Sequence, residues 1–156
     1  MNWIYNGITI ENAPDGYIGF VYLITNLTNN KKYIGKKLFS FSKIKYKTHI
    51  QKNGKKVKKK IKTLIDSDWQ EYWGSSENLH KDIQLLGKEN FTREILYFCK
   101  SKAELSYTEA REQFNRQVLE SDEYYNGIIN VRVGSSPSLK QALLEQNHLK
   151  NQNHKK

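Results

Sequence analysis

The chain of 156 residues is poor in several things at once. It has one cysteine, one methionine, two prolines and only four arginines against 22 lysines. A single cysteine, Cys99, excludes an internal disulfide and a cysteine-built zinc site. Its neighbours Leu96-Tyr97-Phe98 mark it as core filler rather than a nucleophile. No apolar run approaches the roughly 20 residues of a membrane span, and the N-terminus lacks a signal-peptide pattern. These traits fit a soluble, cytoplasmic protein without a membrane partner. Acidic residues are also missing locally: between Lys31 and Lys62 there are fourteen lysines and no Asp or Glu. Most of the net charge of +10 is thus concentrated in one stretch.

A localised positive charge points to a polyanion. Leu38, Phe39, Phe41, Ile44, Tyr46, Ile50 and Ile61 are interleaved with the lysines. That mixture suits a docked surface better than a merely solvated loop. Nucleic acid is the expected partner. Lys36, Lys37, Lys43, Lys47, Lys55, Lys56, Lys58, Lys59 and Lys60 are the candidate contacts.

The length suits one domain with a small appendage. Trp3 to Ile10 offers an edge strand around an Asn6-Gly7 turn. Phe20 to Ile24 is a short β-branched and aromatic run, Asn26 to Asn30 is turn chemistry, and Tyr33-Ile34-Gly35 begins a second strand. The register decides whether the tyrosines of this hairpin, Tyr22 and Tyr33, share a face. Ser40 to Tyr46 reads as a short helix and Gln51 to Lys60 as a mobile loop. Ser75-Ser76 caps a helix whose apolar face is Leu79, Ile83 and Leu86, with Gly87 as its stop. Phe91 to Cys99 is a third strand. A helix follows from Ala103 to about Leu119, with Ala103, Tyr107, Ala110, Phe114 and Val118 on one stripe. Ile128 to Val133 reads as a strand or extended segment. Leu139 to Leu149 forms a terminal helix, and Asn151 to Lys156 frays. The expected fold is α+β: a small three-stranded antiparallel sheet flanked by helices, with a lysine-rich insertion at about 38–65. The domain runs over 1–135, its core over about 17–132, and 136–156 is a tail.

The hairpin GFVYLITNLTNNKKYIGKK resembles the signature of the GIY-YIG nuclease superfamily. Tyr33-Ile34-Gly35 matches outright, whereas Phe20-Val21-Tyr22 stands where the family writes Gly-Ile-Tyr. The run from Gly74 to Leu96, the later helix carrying Glu109, and Tyr125-Asn126 are similar to the family's following elements in order. The resemblance covers about residues 19 to 130 and is nearest to the phage-borne or homing-type branch. It implies a metal-dependent DNA endonuclease, a phosphodiester hydrolase using Mg²⁺ or Mn²⁺. Glu109 would hold the metal, with Glu112 as the alternative; both read as solvated glutamates on an exposed helix face without the resemblance. Tyr22 and Tyr33 would flank the attacking water and the scissile phosphate, either one being the base. Asn126 would orient a ligand, with Asn130 as runner-up. The family's arginine, with a histidine four residues on, has no counterpart before Arg93. Lys45 and His49 keep the same step and are the candidates, with Lys37, Lys43 or Lys47 as substitutes. A non-catalytic nucleic-acid-binding module of the same fold is the competing reading. About twenty residues after Pro137 leave little room for the separate sequence-reading domain of a homing enzyme; a restriction-type or low-specificity nuclease would instead read DNA with the basic insertion, a homodimer being one expected form.

Overall fold

The computed structural model describes residues 2–153. Strand β3 (Gly19–Asn26) is the centre: all but one of its eight residues are buried, because both of its faces are covered. It pairs antiparallel with β4 (Lys32–Leu38) on one side and with β7 (Phe91–Cys99) on the other. These are the three expected strands, but the sheet has five. The N-terminal hairpin of β1 (Trp3–Tyr5) and β2 (Ile8–Ile10) docks on the far edge of β7, Ile4 opposite Glu94, and gives the order β2-β1-β7-β3-β4. The physical reason is that the outer edge of β7 carries unpaired backbone groups, which a strand satisfies.

Two cores flank the sheet. Trp3, Phe20, Tyr22, Ile24 and Phe39 pack on one face with Trp69 and Trp73, and helix α1 (Glu77–Leu86) adds Leu79 and Ile83. Helix α2 (Lys102–Asn115) covers the other face, with Leu105 against Val21, Leu23 and Ile34. The start and stop signals of α1 hold: Ser76 Oγ accepts from the Leu79 N–H, and the Gly87 N–H closes on Ile83.

The lysine-rich stretch forms neither a helix nor a loop. It is a ribbon of two eleven-residue strands, β5 (Ser40–Ile50) and β6 (Lys56–Asp66), paired with each other and with no other strand. Alternating Ile, Tyr and Thr between lysines has the strand period of two, which overrides the short-helix reading. Only 51–55 is left as the tip. The stripe expected on α2 holds only in part: Ala110 and Val118 are buried, but Tyr107 and Phe114 are exposed, whereas Glu104, Thr108, Glu112 and Gln113 are buried. Polar residues tolerate that face because each is hydrogen-bonded there. Residues 128–133 are irregular rather than a strand. Helix α3 (Pro137–Asn153) is longer than expected and docks on α2, where Gln146 donates to Thr108 at 3.1 Å. Asn151–Asn153 are helical; the rest of the expected fraying segment, and Met1, lie outside the described residues. Among the described residues no helix is long and apolar enough to cross a membrane.

Candidate active site

Register puts Tyr22 opposite Gly35 and Tyr33 opposite Ile24. The two tyrosines are therefore diagonal neighbours on one face, with ring centroids 6.2 Å apart. Gly35 is required by contact: a Cβ there would lie 2.5 Å from Tyr22 Cζ, and nearer still to its hydroxyl. The Tyr22 ring lies across that bare backbone. Tyr33 packs in the same way over Gly74, whose φ of +83° favours glycine, and shares a 2.9 Å hydrogen bond with the next residue, Ser75.

The outer edge of β4 is occupied step by step. Lys32 bonds to the backbone of Glu123 and Tyr125. The Asn126 amide accepts from the Ile34 N–H at 3.0 Å and donates to the Ile34 carbonyl at 2.8 Å. Glu109, reaching from α2, lies beside the next step of this edge, where its carboxylate is paired with the Lys36 ammonium. Lys36 Nζ lies 3.5 Å from Glu109 and 3.0 Å from Ser106 Oγ. Glu109 is near enough for its charge to act on both the Tyr22 and the Tyr33 phenol.

The electrostatics follow from that enclosure. Burial raises the Tyr22 phenol well above its usual value, and the neighbouring Tyr33, Tyr72 and Glu109 add to the rise. Burial also raises Tyr33, while its bond to Ser75 pulls the other way. Burial raises Glu109 from its usual value, and Lys36 opposes this.

Tyr72, which the sequence reading did not single out, completes the group. Its ring packs edge-on to Tyr22 at 6.1 Å, and Lys37 Nζ stands 3.9 Å over it. Lys37 also pairs with Asp68 at 2.6 Å, which lowers that carboxyl. Arg93, buried between Trp3 and Trp73, donates to the Gln70 and Tyr72 carbonyls and holds this segment in place. Ser75 and His80, whose Nε2 lies 2.7 Å from the Gly74 carbonyl, were also missed as site residues. The only sequence signal for them was the aromatic run Trp69 to Gly74 where the lysines end.

Tyr22, Tyr33 and Glu109 are brought together; other candidates are placed elsewhere. Lys45 and His49 lie exposed on β5, where a four-residue step spans about 13 Å of strand instead of one helical turn. Neither bonds to a tyrosine or to Glu109 among the described residues. Lys43 and Lys47 are on the same strand, and Lys55, Lys56, Lys58, Lys59 and Lys60 are at the tip or on β6. Asn126 spends its amide on Ile34. Glu112 is buried rather than solvated, accepting from Tyr97 and Arg116.

A divalent cation fits the donor set. Glu109 and the phenols are all oxygen donors, which suits a hard ion that keeps several waters. Among the described residues no three of His, Cys, Asp and Glu gather in one place, so a soft or many-carboxylate site is not formed. The half-buried Glu109 carboxylate is paired with Lys36 among the described residues.

A family model described as "Putative endonuclease segE, GIY-YIG domain" matches residues 3–129. No curated protein and no solved structure matches the chain.

Proposed function

The chain belongs to the SegE-type GIY-YIG endonuclease-domain family, and from that premise we propose that it is a divalent-metal-dependent endonuclease hydrolysing double-stranded DNA in the cytoplasm. The observation that supports the mechanism is the packing of Tyr22 and Tyr33 together at Gly35, with the Lys36–Glu109 pair on the next residue of β4 and Lys37 held over Tyr72 beside Tyr22.

Phosphodiester hydrolysis needs an oriented water, a place for its proton, and positive charge for the developing phosphorane. Glu109 would hold Mg²⁺ or Mn²⁺, which supplies charge stabilisation and favours the phenolate nearby. Tyr22 is enclosed and orients the reacting groups. Tyr33 is the more accessible phenol, and its Oη takes the proton of the attacking water. Both phenols rest in the neutral form, since burial raises them. The rate is therefore expected to rise with pH through the alkaline range, and Tyr33→Phe to flatten that rise. Lys37, held by the Tyr72 ring and Asp68, takes the place of the family's arginine as a point charge without a bidentate fork. Asn126 is a positioning residue acting through the Ile34 peptide. The nuclease domain spans 1–135, with the lysine-rich hairpin as an insertion and 136–156 as a tail.

Plasmid nicking tests the reading. Cleavage is expected with Mg²⁺, none in EDTA, and none by Glu109→Gln, which still binds DNA. Full activity of Glu109→Gln would remove Glu109 as the metal ligand. One observation favours a second reading, a binding module without catalysis: among the described residues the cations beside the site are Lys36 and Lys37, and Arg93 is occupied with Gln70 and Tyr72. DNA binding with no nicking under any divalent metal would establish that module.

A further inference from the structure

We propose that the β5–β6 ribbon is an arm that lies in the major groove of duplex DNA and holds the duplex at the tyrosine site. This rests on the DNA-cleaving reading above and adds how the substrate is held.

The root of the ribbon is at the site itself. β5 begins three residues after Lys37, and β6 ends two residues before Asp68, the partner of Lys37. The root is clamped: the Ser67 N–H donates to the Phe39 carbonyl at 2.9 Å and Ser67 Oγ to the Leu38 carbonyl at 2.6 Å. Beyond it, every residue from 41 to 64 is exposed. An isolated two-stranded ribbon is marginal in water. This one also sets Lys47 directly opposite Lys59. Ten lysines and no acidic residue lie between positions 40 and 65. Such an element is stabilised by a polyanion.

The register identifies the polyanion. Residues directly opposite each other share a face. Lys43, Lys45 and Lys47 share one face with Val57 and Ile61. Lys58, Lys60 and Lys62 share the other with Ile44, Tyr46 and Ile50. Both faces mix cations with apolar groups, so the ribbon has no single apolar side to lay in a membrane. A second copy would oppose like charges. Tyr46 is the one strongly exposed aromatic of the ribbon away from its root, too little for a stacking platform on single strands. A major groove about 12 Å wide accepts a two-stranded ribbon between two phosphate walls. Eleven residues reach about 36 Å, or about one helical turn of DNA. The strands hold no Arg, Asn or Gln, and their one acidic residue is Asp66 at the root. They therefore lack the planar guanidinium fork for guanine and the amide for adenine, and the lysines act mainly as point charges on the phosphate walls, so the arm captures duplex with weak sequence selection.

The test uses Glu109→Gln in EDTA, so that binding is read without cutting. The probe is a mixed-sequence duplex lightly methylated with dimethyl sulfate, which marks guanine N7 in the major groove and adenine N3 in the minor. Interference is expected at guanine N7 within about one turn of DNA. Replacing residues 43–63 by Asn-Gly joins Ser42 to Leu64, which already face each other. That change should abolish the N7 interference. If about five lysines meet phosphates, it should also flatten the slope of log K against log salt by about 4.5. Should the shortened chain lose its fold by circular dichroism, replacing Lys56, Lys58, Lys60 and Lys62 with Gln reads the same two quantities. Unchanged N7 interference in the variant, interference at adenine N3 instead, equal ribbon-dependent binding of single strands, or a dimer lost on shortening would each overturn the arm. Failure of the wild-type chain to cleave, with the N7 result intact, would instead sink the nuclease reading and leave the arm standing.

Discussion

Replacing Gly35 with alanine puts a methyl carbon 2.5 Å from Tyr22 Cζ and 3.0 Å from Tyr33 Cε1. Ordinary carbon contacts need about 3.5 Å or more, so the Tyr22 ring must move by about 1 Å. It has little room, since Trp3, Phe20 and Tyr72 pack around it at 5.1, 6.0 and 6.1 Å between ring centroids. Overpacking of this kind costs about 1–3 kcal/mol. For a chain of this size that lowers the melting midpoint by about 2–12 °C. A reacting group displaced by about 1 Å loses on the order of 100-fold in rate. Thermal melts and single-turnover cleavage measure the two effects. Gly127→Ala is the control, because nothing lies within 4 Å of its added Cβ. Adding Tyr22→Phe to Gly35→Ala removes the closest contact, the hydroxyl. The double variant should regain part of the lost stability but none of the lost rate. A Gly35→Ala protein that melts and cleaves like the wild type would show that the ring does not lie across Gly35.

Three further outcomes follow from the same site. Glu109→Gln should melt at or above the wild-type temperature at pH 7. Burial raises the folded-state value of this acid, so its ionisation costs stability as pH rises through that value; the difference should close below an unfolded value of about 4.3. A lower midpoint for the variant at neutral pH, measured calorimetrically, contradicts this. Lys37→Gln should slow cleavage at saturating DNA by up to about 100-fold or more, and by more than Lys45→Gln or His49→Gln does; the reverse order would return the cation to the ribbon. Asn126→Ala strands the buried Ile34 N–H, and urea denaturation should show a loss of about 1–3 kcal/mol. An unchanged urea midpoint would mean that Asn126 does not hold the β4 edge.

The sequence by itself determined the elements whose signals are local. The β3–β4 hairpin follows from a β-branched run, an asparagine turn and Tyr33-Ile34-Gly35. Helix α1 follows from its own cap, stripe and stop. The excess of lysine over acid between positions 31 and 62 is a matter of counting. Tyr22, Tyr33 and Glu109 were legible only through their resemblance to a family, since an isolated glutamate on a helix carries no mark of its neighbours. Tertiary structure decided the rest. Tyr22 and Tyr33 share a face because the register sets Tyr22 opposite Gly35. Lys37 and Tyr72 meet because the ribbon returns the chain to where it left, 35 residues later. Lys45 and His49 look like a helical pair in one dimension, but on a strand the same step separates them. Local propensity acts over a few residues, whereas the β4 edge gathers Glu109 from α2 and Tyr125 and Asn126 from the later loop through an ion pair and hydrogen bonds that exist only once the sheet has formed.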